Sequence, residues 1–321
     1  MKMSKFKLKR EPLTPELKLL YKKRTTAIIV NIVRYFFLLA LSYVVLFQLF
    51  FMISQALRPT SDLMNPSVVW IPSRLTFENF KTAFEKLEYL KTGFVSIWLM
   101  EISAFIEVMV CAVIAYGFAR FQFKEKNLIF FLVLVTIIVP TQMLIIPMYL
   151  NYAHFDILGV FKWFIDLTGI KDFRPSLLNG PLTFWLPSLF GVGVRSGLFI
   201  FIYRKFFEGL PRELEEAAYV DGAGPLRTFV SVILPSSGVV FLTVTIFSTI
   251  WHWNESYMSD MYNKQNPPLA VKLDYVRQDL LKDSRSAAMA ACLLFVLPML
   301  VMYAILQRKF VQSIDRVGIV G

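Results

Sequence analysis

Residues 209–224 read GLPRELEEAAYVDGAG: a short, acidic, alanine-bearing segment between two long apolar stretches. Pro211 suits the first turn of a helix, where its missing N–H would be unpaired anyway. Glu213, Glu215 and Glu216 then fall near the helix N-terminus, where the backbone dipole favours anions. Leu210, Leu214, Ala217 and Ala218 share one face by the three-and-four spacing. Gly222 is a fitting end, because glycine takes a left-handed conformation freely. Pro225 can start a second short helix, Leu226 to about Ile233. Leu234–Pro235 is expected to stop that helix before the next apolar stretch. The segment thus predicts a helix, a glycine turn and a second helix.

The rest of the chain decides where such an object can sit. Of 321 residues, 56% are hydrophobic and 18% are charged. Soluble domains carry roughly 45–50% apolar and about 25% charged residues, so the excess points to a bilayer as the main solvent. The basic, polar first 24 residues and the long apolar run after them do not read as a cleavable signal peptide. A spanning helix needs about 20 largely apolar residues. Six stretches approach this: Tyr35–Ser54, Phe94–Phe118, Leu128–Pro147, Phe184–Tyr203, Ser237–Trp253 and Ala287–Leu306. The expected fold is therefore all-α, with six transmembrane helices.

Basic residues near the spans set orientation. With the N-terminus inside, residues 1–27, 119–127, 204–236 and 307–321 together hold 19 basic and nine acidic residues. The outer segments 55–93, 154–183 and 254–286 hold 13 basic and 12 acidic residues. Almost all of the +11 net charge is thereby cytoplasmic. It reads as a topology signal with anionic lipid as its partner, and nucleic acid is disfavoured because the bases are scattered among helix ends. Both termini are expected to be cytoplasmic. The organisation expected is a basic arm, residues 1–27, and one transmembrane domain, residues 28–321. The opening segment lies in its cytoplasmic connection, about 204–236.

Several chemistries are not supported by the sequence. Cys111 and Cys292 both lie in apolar stretches and read as small buried hydrophobes. No metal-type Cys/His spacing occurs. His154 and His252 read as interfacial or packed residues, and Trp251 and Trp253 as an interfacial aromatic belt. "GVGVRSG" (Gly191–Gly197) has Ser196 where a dinucleotide loop needs glycine; Gly193 and Gly197 instead form a Gly-x-x-x-Gly, expected to mean close helix packing. No phosphate loop ending in Gly-Lys-Ser/Thr is present, so any ATP hydrolysis needs another chain. Within the stretches, Glu101, Glu107 and Arg195 are charged. Such groups mark polar paths or pairs. Glu107 and Arg195 fall at nearly one depth and are expected to meet or to line one path, with Glu101 nearer the outside.

At this point "EEAAYVDGAGPLRTFVSVILP" is identified as similar to the EAA signature of ABC-importer permeases. Glu216, Ala217, Ala218, Gly222, Leu234 and Pro235 match it, and Asp221 fits a common form. Val232 stands where the family often has Ile. "IPSRLTFENFKTAF" (Ile71–Phe84), "AYGFARFQFKEKNLIFF", "VPTQMLIIPMY", "GLFIFIYRKFFEGLPRELEEAA" and the tail "QRKFVQSIDRVGIVG" resemble the carbohydrate-uptake branch, in particular the maltose-type second permease. The likeness covers most of residues 28–321 in order and departs in the third loop, about 156–180, which is longer.

The resemblance implies a permease subunit of an ATP-driven sugar importer in a bacterial cell membrane. It implies that the short helix docks on an ATPase subunit through Glu213, Glu216, Ala217, Ala218, Asp221, Gly222, Leu234 and Pro235. It implies as partners a second permease, a pair of ATPase subunits and an extracellular sugar-binding protein. The last outer loop, with Tyr257, Tyr262 and Asn266, would face that protein. No cofactor is expected on this chain; ATP and Mg belong to the ATPase. Two other readings stay open: an importer for a non-sugar solute, and an integral-membrane enzyme.

Overall fold

The computed structural model describes residues 15–59, 61–62, 70–156, 159–169 and 173–317. The first 14 residues of the basic arm, parts of the long third loop and the last four residues of the tail lie outside this set. Among the described residues every regular element is helical.

A long helix, α1 (Pro15–Ala56), comes first, so the described part of the basic arm continues directly into the first apolar stretch. Its side chains are exposed over most of its length. α2 (Glu78–Lys86) leads into α3 (Tyr89–Arg120), which passes through a π-helical turn at Ser96–Glu101. α4 (Lys126–Ile138) ends where Val139, preceding Pro140, turns extended at ψ 121. That is the conformation a residue before proline prefers. A 3₁₀ turn, Thr141–Leu144, leads into α5 (Ile145–Ala153), and this pair bends 99° from α4. The third apolar stretch, expected as one span, is therefore sharply bent.

α6 (Val160–Thr168) lies in the third loop. The fourth stretch, Phe184–Tyr203, was expected to be a continuous span. It is instead two helices, α7 (Leu182–Leu189) and α8 (Ser196–Glu208), separated by an unwound segment, residues 190–195. Glycines at 191 and 193 weaken helix propagation there, and Arg195 adopts φ +65.

α9 (Glu213–Val220) is the short acidic helix. α10 (Pro225–Ser236) follows, with a π turn at Phe229–Ile233, and meets α11 (Gly238–Trp253) at an 83° bend. Pro235 does not stop α10. It follows Leu234 in the final turn, and the chain breaks at Ser237. α12 (Tyr257–Tyr262), α13 (Leu269–Asp283) and α14 (Arg285–Val317) complete the chain.

Among the described residues, three helical segments are long and apolar enough to cross a bilayer, Lys22–Ala56, Tyr89–Arg120 and Arg285–Arg308; counting each bent pair as one span gives five. Lipid is as apolar as leucine, so what joins these helices is close packing and polar contacts. α3 presents Cys111, Ala112, Ala115 and Ala119, against which Phe199, Tyr203 and Phe207 of α8 are buried. Large rings on one helix fill the space left by small residues on the other. Gly197 meets α4: a Cβ there would stand 2.9 Å from the Val133 carbonyl oxygen and against the Thr136 hydroxyl. Gly193, its expected partner in a helix-packing motif, is not helical and packs elsewhere. We expect Gly197→Ala to cost about 1–3 kcal/mol by overpacking. It should be read as a lower midpoint of thermal unfolding in detergent; an unchanged midpoint would mean that α4 and α8 can separate freely.

Candidate functional site

Four features carry candidate function. The first is the helix–turn–helix formed by α9 and α10. α9 ends on Gly222 at φ +79. The N–H of Gly222 donates to Tyr219 O at 3.0 Å and that of Ala223 to Ala218 O at 2.9 Å. This paired closure satisfies the last carbonyls and requires a residue that tolerates the left-handed region.

The face of α9 is divided. Glu213, Glu216, Ala217, Asp221 and Gly222 are exposed. Ala218 is buried, Leu234 is half-buried, and Pro235 is exposed on a later turn. Ala218 and Leu234 therefore hold the loop together and are not at its outer surface. Val220 and Leu226, 87% and 72% exposed, add apolar knobs that motif matching missed. Val220 follows Glu216 and Ala217 by four and three positions and so shares their helix face.

The inner side of α9 is clamped. Arg120 Nε donates to Glu215 Oε1 at 2.8 Å, and the two side chains are 6% and 8% exposed. Arg120 also donates from Nη2 to Leu210 O at 2.9 Å. Arg120 is in the last turn of α3 and Glu215 in the first turn of α9. Each charge thus complements the dipole of its own helix end. Glu215 had been read only for its effect on the dipole, since a single sequence does not reveal a partner 95 positions away.

The second feature is a polar cluster inside the bundle. Glu107 and His252 are fully buried. Ser196, the first residue of α8, donates its hydroxyl to Glu107 Oε1. Ser248 Oγ lies 3.2 Å from Oε2. His252 Nδ1 is 2.9 Å from Ser248 O and 3.8 Å from Glu107 Oε2. One carboxyl therefore ties α3, α8 and α11 together. His252 is a packed residue, as read from sequence. Trp253 is buried against Phe295 and does not form an interfacial belt.

The expected meeting of Glu107 with Arg195 does not occur. Glu107 takes its hydrogen bonds from serines, and Arg195 stacks its guanidinium 5.8 Å from the Trp251 ring centre. The segment's twist separates them: Ser196 turns inward to the carboxyl while Arg195, one residue earlier at positive φ, turns to the other side. Glu101 is partly buried, and its Oε1 has no hydrogen-bond partner.

The third feature is a cavity of about 480 Å³ beside the unwound segment, bounded by α4, α5, α7 and α8 and by Trp251 and Tyr262. The fourth is the region around α12, expected from the sequence to be an outer loop. Tyr257 and Asn266 are exposed. Tyr262 is only 2% exposed, donates to Ile145 O at 3.1 Å and packs edge-on against Tyr152. It supports the fold from within and offers no outer contact. The third loop is held by Asn179, whose N–H donates to Tyr262 O at 2.8 Å. Lys272 of α13 and then Lys91 bind Glu88 and hold its carboxyl below the usual carboxylate range.

Comparison with known proteins finds relatives along most of the chain. A model of the family described as "Binding-protein-dependent transport system inner membrane component" matches residues 107–316. The chain is 28% identical over 287 residues to the diacetylchitobiose uptake system permease protein DasC of Streptomyces coelicolor, covering 86% of this chain and 92% of that one. It is 26% identical to the trehalose transport system permease protein SugB of Mycobacterium tuberculosis, covering 84% and 90%. The crystal structure of a bacterial ABC transporter involved in the import of the acidic polysaccharide alginate superposes with a TM-score of 0.59 at 18% identity, covering 94% of this chain and 100% of that one. That likeness establishes the fold.

Proposed function

The chain belongs to the family of binding-protein-dependent transport system inner membrane components, and we propose that the ABC importer it serves as a permease carries a saccharide. Similarity along most of its length to uptake permeases named for diacetylchitobiose and trehalose carries this reading. The membrane enzyme falls behind it because the family is a transport component; the non-sugar solute falls behind it because several of the similar permeases are named for saccharides. The finer arrangement is also our reading. Six spans place both termini in the cytoplasm, with the two halves α7 and α8 counted as one broken span. Such a break is tolerated where it lines a cavity or is buried in protein.

The partners follow from the same reading: a second permease, two ATPase subunits and an extracellular sugar-binding protein. ATP and Mg act on the ATPase. α9 docks there through its exposed Glu213, Glu216, Ala217, Asp221 and Gly222, with Val220 and Leu226 supplying apolar contact. The exposed Tyr257 and Asn266 face the sugar-binding protein. ATP-driven approach of two ATPases would then move α9, and α3 with it.

Two substitutions test the docking. Gly222→Val forces a β-branched residue into φ +79, and Glu216→Lys reverses an exposed charge at the joint. We expect both proteins to insert in the membrane. Each should lose co-purification of the ATPase or its stimulated hydrolysis. Full coupled uptake by both would remove α9 from the joint.

A further inference from the structure

We propose that Arg195 binds a carboxylate on the imported saccharide; this rests on the saccharide-importer reading above. Arg195 stands at the end of the unwound segment of the fourth apolar stretch and faces the cavity. Among the described residues that line the cavity it alone carries a charge. Several of the lining hydroxyls are already engaged within the fold: Thr136 donates to Val133 O, Ser188 shares a hydrogen bond with Ser103, and Tyr262 donates to Ile145 O. The guanidinium is held over the Trp251 ring, and Arg195 and Trp251 both line the cavity. Glu255 is near enough to feel its charge, but among the described residues no carboxylate forms an ion pair with it.

The chemistry of the unspent group selects the ligand. A guanidinium has five N–H donors and no acceptor. A sugar hydroxyl is neutral and leaves the guanidinium charge uncompensated, and the rest of the wall, apolar side chains and neutral hydroxyls, supplies no counter-charge. A carboxylate brings acceptors alone, fits the guanidinium fork with two parallel bonds, and neutralises its charge. The cavity's volume is within the usual range for a small-ligand site, roughly 300–1,000 Å³. The backbone points the same way. A non-glycine residue at φ +65 is strained, and such strain persists where the surroundings fix it, often at ligand clamps. Here Ser196, bound to Glu107, pins the adjacent residue and so fixes the direction of Arg195.

The test uses the complete importer in proteoliposomes, with both permeases, the ATPase and the saturated sugar-binding protein. Uptake is measured for neutral oligosaccharides and for uronate-containing ones of equal length. Arg195→Asn removes the charge but keeps a residue type that tolerates the left-handed region. Arg195→Lys keeps the charge without the fork. The wild-type importer should take uronate oligosaccharides, and Arg195→Asn should slow that uptake by about tenfold or more, with the lysine variant in between. Assembly and receptor affinity should not change. Uptake confined to neutral sugars would overturn the proposal and leave the saccharide reading standing. Uronate uptake equal in wild type and Arg195→Asn would also overturn it, since selection would then rest with the receptor. If no saccharide of either kind is taken up, both readings fall.

Discussion

Arg120→Ala should uncouple ATP hydrolysis from transport more completely than any change on the exposed face of α9. The substitution leaves the Glu215 carboxylate 8% exposed without its cation, and it removes the donor to Leu210 O. Breaking a buried pair by deleting one partner costs about 3–5 kcal/mol, because the remaining charge is stranded. Each ~1.4 kcal/mol is tenfold in population, so the clamped state falls by roughly a hundredfold or more. α9 would still be tethered covalently to α8 and α10, but its tie to the end of α3 would be lost. We expect ATPase subunits to bind and to hydrolyse ATP with little response to loaded receptor. The exchange Arg120→Glu with Glu215→Arg should rescue only partly. It restores opposite charges but puts an anion at the C-terminus of α3 and a cation at the N-terminus of α9, each unfavourable by about 0.3–1 kcal/mol. A glutamate at 120 also has no proton to give Leu210 O. Normal coupling in Arg120→Ala would show that the covalent connections alone transmit the motion.

Arg120 and Glu215 also show where reading the sequence succeeds and where it stops. The apolar runs, the helix α9 and the left-handed Gly222 follow from local rules: periodicity, dipole and φ preference. Composition and charge placed the chain in a bilayer for the same reason. The unwound segment at 190–195 was missed because hydropathy averages over about 20 residues and does not register two glycines and a backbone reversal. Pro235 was read as a stop because proline disfavours helix after its first turn. The continuous helix through the π turn at Phe229–Ile233 overrides that preference. Tyr262 looked like an outer-loop residue by position, yet its ring fills the space beside Tyr152 and Phe184. Contacts over 80 or more positions, such as Glu107 with Ser196, depend on how helices rotate about their axes, which a single sequence does not state.

The Glu107 cluster makes the last prediction, and a pair of substitutions tests it. Glu107 and Arg195 have separate partners, so reversing both charges should restore nothing. Gly193 does meet the carboxyl: a Cβ there would stand 2.8 Å from Glu107 Oε1, 2.7 Å from Ser188 Oγ and 3.2 Å from Ser188 Cα. Gly193→Ala should therefore push the unwound segment off α3 and lower stability by about 1–3 kcal/mol. Glu107→Ala should cost about 2–5 kcal/mol. It leaves a cavity, deprives the Ser196 hydroxyl of its acceptor and leaves Ser248 the longer contact to Ala104 O. Glu107→Gln should be far milder. Its amide oxygen can accept from Ser196, and its NH₂ can donate to Ser248 Oγ, whose own proton can turn toward Ala104 O at 3.4 Å. The two alanine variants combined should cost less than their sum by about 0.5–3 kcal/mol, the range for residues in contact. Deleting the carboxyl makes room for the added methyl on one side. The remaining cost is the contact with Ser188, whose hydroxyl can rotate while its Cα cannot. Thermal unfolding in detergent of the four proteins measures the cycle. Additive costs would mean that the segment does not rest on Glu107, and that the tie between the broken span and α3 lies elsewhere.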